Sequence, residues 1–221
     1  MYFDTVLFDL DDTLHDRNKS LSIFIDIFIE NYAHLLYDNS ILILKDMFIE
    51  IDCKGYKPRG EMFKELQNRI AWKSQPDISE LINFWNIEFP KCAEPMEGLY
   101  ELLVYLRSKS VKMAIVTNGS SHMQNTKIDK LKIREYMSSI IISEEVGMRK
   151  PDPGIFLRAL SEMNSSSKTA LYVGDNPSID VIGSMNAGLT AVWFSCGEIW
   201  NMGPCKPRHI ISRLADIEKL L

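Results

Sequence analysis

Short apolar runs alternate with helical stretches through the C-terminal part of this sequence, and no other feature constrains the fold as much. A helix over 97–109 leads into the apolar run 111–116, and a helical segment around 121–132 leads into 139–142. A helix over 153–163 leads into 169–173, and a helix over 177–187 into 190–194. A last strand at about 209–211 precedes a terminal helix over 213–220. Short continuous apolar runs read as strands buried on both faces, and strands alternating with helices build βαβ units around a parallel sheet. The crossovers are expected to be right-handed. Residues 4–9, Asp-Thr-Val-Leu-Phe-Asp, form a further run of this type at the other end of the chain, so a first strand joins the same sheet. The expected class is α/β, a parallel sheet layered between helices.

Between these two parts the sequence is helical. Leu21, Phe24, Ile25, Phe28, Tyr32, Leu35 and Leu36 recur at three- and four-residue intervals, with Ser22, Asp26, Glu30 and His34 largely opposite. That is the pattern of an amphipathic helix. Further helical stretches over about 40–51, 59–72 and 78–89 are divided by Gly55, Pro58, Pro76 and Pro90. The expected division is a core of 1–15 with 93–221 and an all-helical cap of 16–92, inserted after the first strand. Ligands of an open parallel sheet bind beyond the carboxyl ends of its strands, so an insert at that edge is expected to act as a lid. The insert carries Phe24, Phe28, Tyr32, Tyr56, Phe63, Trp72, Phe84 and Trp85. At helical spacing such rings belong mainly to the cap's own core; stacking on a substrate base is the other use.

Composition removes several function classes. The 221 residues are 46% hydrophobic, enough for a core and too many for a disordered chain. Lys and Arg number 25 against 30 Asp and Glu, a net charge of −5. That sign does not suit a binder of nucleic acid polymers. The apolar stretch 21–29 contains Asp26 and stops at Glu30, too short for a membrane span. Met1-Tyr2-Phe3-Asp4 has no basic region and no cleavage site, and Cys53, Cys92, Cys196 and Cys205 form no Cys-x-x-Cys pair. The expectation is a cytoplasmic protein with reduced thiols, no membrane partner and no zinc site, as a monomer or homodimer. His15, His34, His122 and His209 stand singly and are expected as surface or packing residues.

The polar residues gather where such a sheet would bind a ligand. Strand one ends in Asp9-Leu10-Asp11-Asp12-Thr13, strand two in Thr117-Asn118-Gly119 and strand four in Gly174-Asp175-Asn176. The loop after strand three leads to Arg149-Lys150-Pro151-Asp152. Asp9, Asp11 and Asp175 would bring three carboxylates near one point, where each raises the others' pKa unless a cation relieves the repulsion. Oxygen ligands alone favour Mg2+ over zinc. Mg2+ takes substrate phosphate oxygens, and Lys150 with the Thr117 hydroxyl are suitable donors to a phosphoryl group. The expected substrate is therefore a phosphate. Asn176-Pro177 and Asp152-Pro153 each read as a helix N-cap followed by proline. Asp180 lies about one turn into its helix, where it favours the dipole.

Taken together and in order, Asp9-Leu10-Asp11-Asp12-Thr13, Thr117-Asn118-Gly119, Lys150-Pro151-Asp152-Pro153 and Gly174-Asp175-Asn176 with Asp180 resemble the four motifs of the haloacid dehalogenase (HAD) superfamily. The resemblance spans essentially the whole chain. It implies a Rossmann-like core with a helical cap of the kind inserted after the first strand, and hydrolysis through an aspartyl phosphate. On that reading Asp9 is the nucleophile and a Mg2+ ligand. Asp11 protonates the leaving alcohol and then activates water, and its backbone carbonyl is a further metal ligand. Thr117 and Asn118 bind the transferring phosphoryl group. Lys150 neutralises that group and keeps Asp9 ionised, Asp175 completes the metal site, and Asp180 stands behind, orienting the loop or Lys150. Dehalogenases of the superfamily lack an acid at the position of Asp11, so its presence favours phosphate esters.

Residues 142–152 and 186–193 look most like the pyrimidine 5′-nucleotidases of the superfamily. The resemblance thus implies a Mg2+-dependent phosphatase of small phosphorylated metabolites, with a nucleoside 5′-monophosphate as the expected substrate. Phosphoglycolate or a sugar phosphate is the alternative, followed by a phosphomutase and by a non-catalytic metabolite binder.

Overall fold

The computed structural model describes residues 3–221, so the first two residues of the expected core segment lie outside the described residues. The chain divides into two compact units, Met1–Asp16 with Pro95–Leu221, and Arg17–Glu94.

The first unit carries the strands β1 (Thr5–Phe8), β2 (Lys112–Thr117), β3 (Ser139–Ile142), β4 (Ala170–Gly174), β5 (Thr190–Phe194) and β6 (His209–Ile211). Among the described residues they form one six-stranded sheet in the order β3-β2-β1-β4-β5-β6. Every neighbouring pair is parallel. Leu7, Ala114, Val116, Ile141, Ala170 and Tyr172 join one core cluster with Ile155, Phe156, Ala159 and Leu160 of the helix Pro153–Glu162. Val6, Phe8, Met113, Ile115, Leu171 and Val173 occupy the alternate positions and are buried as well, as period-two geometry requires of a sheet covered on both faces.

Two helices of this unit differ from the periodicity reading. The segment expected as one helix over 177–187 opens as a π-helix, Pro177–Ile182, before the α-turn Gly183–Asn186. Pro177 brings no N–H, and the Asn176 carbonyl accepts from both Asp180 N (3.0 Å) and Val181 N (3.2 Å). The Asn176 side chain caps Ser178 N and Ile179 N at 3.0 and 2.9 Å. The widened turn carries Asp180 as a buried residue, consistent with the frequent use of π-bulges at functional sites. The terminal helix is a 3-10 helix, Leu214–Leu220, whose buried residues Leu214 and Ile217 are three apart, the spacing that such a helix stacks on one face.

The second unit consists, among the described residues, of the helices Arg17–Tyr32, Asp38–Asp52, Arg59–Arg69 and Ile78–Glu88 with short 3-10 turns between them. The third ends at Arg69 rather than near 72 because Ile70 turns extended and is buried. Aromatic rings make the core: Phe24 lies 4.7–6.1 Å by ring centroid from Phe28, Phe48, Phe84, Trp85 and Phe89. Several of these contacts are edge-on, the arrangement the ring quadrupole prefers. Tyr56 alone of the eight aromatics singled out from the sequence is exposed. Beside this core Asp52 is buried between two guanidinium groups: it pairs with Arg17, whose Nη2 donates to Oδ1 at 2.8 Å, and with Arg59 Nη1 at 2.6 Å. Arg59 also lies over the Trp85 ring at 4.4 Å.

Candidate active site

The sheet order reverses direction between β1 and β4: the chain builds outward through β2 and β3, then returns to the other side of β1. In open α/β sheets the crevice at such a reversal is where ligands bind. Asp9 follows β1 directly, and its N–H donates to the Val173 carbonyl at 2.9 Å, so the ladder continues up to the carboxylate. Asp175 follows β4 directly, and Trp193 Nε1 donates to its backbone carbonyl at 2.7 Å. Neighbouring strands therefore deliver two acids to one edge.

Lys150 is the cation of this edge. It is 3% exposed, and its Nζ donates to Asp9 Oδ1 (2.6 Å), Asp180 Oδ1 (2.8 Å) and the Tyr172 hydroxyl (2.9 Å). Three acceptors match the three protons of an ammonium. Its backbone is fixed by Asn118, whose Oδ1 accepts from Lys150 N at 2.9 Å and whose Nδ2 donates to Lys150 O at 3.0 Å. Asp180 comes in from the π-helix. Its Oδ2 accepts from Asn176 N at 3.0 Å, and its Oδ1 lies 2.9 Å from the Tyr172 hydroxyl, which also reaches the Val116 carbonyl at 3.2 Å. Gly174 makes this approach possible, since a Cβ there would stand 2.5 Å from Asp180 Cβ.

One carboxylate oxygen from each of Asp9, Asp175 and Asp180 lies within 4.8 Å of the others, a group able to hold a metal ion. Burial pushes the Asp9 carboxyl up to about 7, with the Lys150 charge opposing it and Asp180 adding to it. Burial pushes Asp175 up to about 9, helped by the charges of Asp180, Asp9 and Asp12. Burial opposes the charge on Lys150, but Asp180 and Asp9 outweigh it and keep the ammonium protonated. An all-oxygen set under this strain of like charges fits a hard divalent cation. The Asp180 oxygens already serve Lys150, Tyr172 and Asn176, which leaves Asp9 Oδ2 and the Asp175 carboxylate as the natural ligand atoms.

The pKa shifts set the sign of a pH effect. The folded-state values of Asp9 and Asp175 lie above the ordinary value of 3.8. The stabilisation from their bound protons is complete below the unfolded value and is lost as pH rises through about 7 and about 9. A cation needs both groups ionised, so it competes with those protons. The expected result is that the rise in melting temperature on adding Mg2+ grows steadily from pH 6 to pH 9. A Mg2+ shift independent of pH would remove these carboxylates from the metal site.

The Asp11 carboxylate is not one of the three that converge, although its charge acts on Asp9. The sequence reading placed Asp9, Asp11 and Asp175 around one point; the carboxylates that converge are Asp9, Asp175 and Asp180. The Asp11 side chain turns instead to Lys127, which donates to its two oxygens at 2.7 and 2.9 Å, and to His15 Nδ1 at 2.6 Å. Burial would raise its pKa, but the Lys127 charge and the His15 hydrogen bond and charge overcome burial and hold it well below the usual carboxylate range. In this arrangement Asp11 is an ionised acceptor. His15, expected at the surface or in packing, is fully buried and faces the Asp11 carboxylate.

Thr117 and Asn118 also have partners the sequence did not suggest. Gln124 Nε2 donates to Thr117 Oγ1 at 2.6 Å, an accepted bond that leaves the hydroxyl proton to be donated. The Asn118 side chain makes two hydrogen bonds to the Lys150 backbone and so braces that loop. Asp180, expected to orient the loop or Lys150, makes contacts with both Lys150 Nζ and Asn176 N. Asp152 and Asn176 cap their helices as their sequence context indicated. Sequence reasoning passed over Tyr172, Gln124 and Lys127. Only the strand position of Tyr172 carried a hint, as a hydroxyl in a run otherwise wholly apolar.

Comparison with known proteins bears on both fold and family. A glyceraldehyde 3-phosphate phosphatase from Pyrococcus abyssi is 30% identical over 207 residues, 87% of this chain and 82% of that protein. The pyrimidine 5′-nucleotidase YjjG from Escherichia coli is 34% identical over 128 residues, 58% of this chain and 56% of that protein. Among solved structures, the HAD-hydrolase YfnB from Bacillus subtilis bound to magnesium gives a TM-score of 0.83 at 22% identity, covering 100% of this chain and 99% of that one. That last likeness is one of fold. The family model of the haloacid dehalogenase-like hydrolases matches residues 6–194, most of the chain and all four strand-end motifs, and the chain belongs to that family.

Proposed function

We propose that this protein hydrolyses small phosphomonoesters through a phosphorylated Asp9, with sugar phosphates as the leading substrate class. The observation that carries the reading is the position of Asp9, held at the end of β1 between the buried Lys150 ammonium and the Asp175 carboxylate. In the first displacement an Asp9 oxygen forms the new bond to phosphorus as the bond to the ester oxygen breaks; because Asp11 is ionised in the free protein, the leaving oxygen takes a proton that Asp11 relays from the monoprotonated phosphate group. In the second, Asp11 takes a proton from water, the water oxygen bonds phosphorus, and the bond to Asp9 breaks. Lys150 and the Thr117 hydroxyl meet the charge on the phosphoryl oxygens. A divalent cation such as Mg2+ would be held by Asp9, Asp175 and the Asp11 backbone carbonyl, and would supply charge neutralisation for the phosphoryl group.

The substrate class rests on breadth of similarity. The glyceraldehyde 3-phosphate phosphatases align over most of this chain, helical unit included, whereas the 5′-nucleotidase match covers 128 residues. Burial of candidate stacking rings points the same way for Phe24, Phe28, Tyr32, Phe63 and Trp85, which lie in their own core, while Tyr56 is exposed and Trp72 and Phe84 are half-buried. A nucleoside 5′-monophosphate is the second reading, supported by the higher identity of the shorter match.

The test is phosphate release, with Mg2+ and with EDTA, from glyceraldehyde 3-phosphate, other sugar phosphates, phosphoglycolate and nucleoside monophosphates. Mg2+-dependent release greatest on sugar phosphates is expected. Preference for nucleoside monophosphates would exchange the two readings. Release unaffected by EDTA would overturn the metal-assisted mechanism.

A further inference from the structure

Asp11 is gripped from behind by three side chains outside the four motifs of the sequence, and the same grip reaches Thr117. We infer that Lys127, with Gln124 and His15, is a positioning residue that fixes the Asp11 carboxylate where it exchanges protons with the leaving group and with water. The inference rests on the phosphatase reading above.

Gln124 and Lys127 lie three apart on the helix Ser121–Lys130, and so on one face. Lys127 Nζ donates to both Asp11 oxygens and, at 2.8 Å, to Gln124 Oε1. Gln124 Nε2 donates to Asp11 Oδ2 at 3.0 Å and to Thr117 Oγ1 at 2.6 Å. His15 Nδ1 meets Asp11 Oδ1 from the β1 side. Gly119 makes room for this, because a Cβ there would stand 2.7 Å from Gln124 Cγ and Cδ.

The burial pattern separates this arrangement from an ordinary structural ion pair. His15, Gln124 and Lys127 are 0–4% exposed, while the Asp11 side chain retains 29% exposure. A desolvated ammonium needs a fixed partner. Here it is spent on a carboxylate that stays partly exposed, two residues after Asp9. Gln124 links that carboxylate to the hydroxyl assigned to the phosphoryl group, so the proton-transfer group and the phosphoryl donor keep one spacing.

The chemistry gives a readout that a purely structural role would not move. Expulsion of an alkoxide needs the Asp11 proton, whereas p-nitrophenolate leaves without one. The value of kcat/KM reports the first displacement, and kcat includes the second, where Asp11 activates water for either ester. In Mg2+-loaded protein, Lys127→Met is expected to lower kcat/KM on an alkyl phosphate about 30-fold and on p-nitrophenyl phosphate less than about 3-fold, a fraction of the range for acid–base catalysis. Lys127→Arg is expected to restore most of the loss. In an Asp11→Asn background Lys127→Met should add less than about 2-fold, because coupled residues are not additive. If circular dichroism shows Lys127→Met unfolded, Lys127→Gln takes its place. Equal losses on the two esters, no loss, or full additivity with Asp11→Asn would each overturn the inference alone. Wild-type protein inactive on both esters would overturn the phosphatase reading, and this inference with it.

Discussion

Asp9→Asn is expected to abolish turnover and, in the same protein, to raise the melting temperature at pH 8 without metal. The first effect follows from the chemistry of the amide. Asn keeps the shape of Asp but offers no anionic oxygen to phosphorus, so no covalent intermediate forms, and losses on the order of 10^4-fold or more are typical when a nucleophile is removed. The second follows from the charge balance. Burial and the Asp180 charge outweigh Lys150 and push Asp9 up to about 7. Its folded-state pKa is thus above its unfolded value, and above about 7 the folded protein carries a charge its surroundings disfavour. A neutral isostere removes that penalty. It also removes one metal ligand, so the Mg2+-induced rise in melting temperature should shrink. Turnover by Asp9→Asn within a few-fold of wild type, or a variant less stable than wild type at pH 8, would contradict this account.

How much of the site could be read beforehand depended on how local its cause was. Asp9, Asp175 and Thr117 were legible because each closes or directly follows a strand whose apolar run is visible in a few residues. Asn176 and Asp152 were legible because a capping residue before proline is a signal of adjacent positions. Lys127 and Gln124 were not: the former meets Asp11 across 116 residues of sequence and the latter across 113. On their helix both read as ordinary polar residues. Asp180 was placed in a supporting role, but its entry into the acidic cluster depends on the widened turn after Pro177, which 3.6-residue periodicity does not contain. The Arg17–Asp52–Arg59 group was hidden for a similar reason, because three charged residues on three helical segments carry no pattern until those segments pack. The substrate expectation leaned on core segments, whereas the similarity that spans most of the chain is to glyceraldehyde 3-phosphate phosphatases.

Lys150→Met should produce the largest loss of stability available from one substitution at this site, together with loss of activity. Met fills much of the space of a lysine stem but brings no charge and no donor. Asp9 Oδ1, Asp180 Oδ1 and the Tyr172 hydroxyl would each lose the Nζ contact they now have at 2.6–2.9 Å. Two carboxylates would then face each other without their cation. Breaking a buried ion pair from one side typically costs about 3–5 kcal/mol, because the remaining charge stays desolvated. For a chain of this size that corresponds to a fall of roughly 10 °C in melting temperature. The sign with pH is fixed by Asp9. Its pKa of about 7 in the wild type rises further once Lys150 is gone, so at pH 5 the group is neutral in both proteins and the difference narrows. At pH 8 the difference is widest, and Mg2+ should recover part of it by restoring positive charge between the acids. Lys150→Arg keeps the charge, but its fork does not match three acceptors arranged around a point; it is expected to melt closer to wild type and still to lose most turnover. Thermal melts of the three proteins at pH 5 and pH 8, with and without Mg2+, separate these outcomes. Equal melting of Lys150→Met and wild type at pH 8 would mean that another group balances Asp9 and Asp180, and the electrostatic account of this site would have to be rebuilt around it.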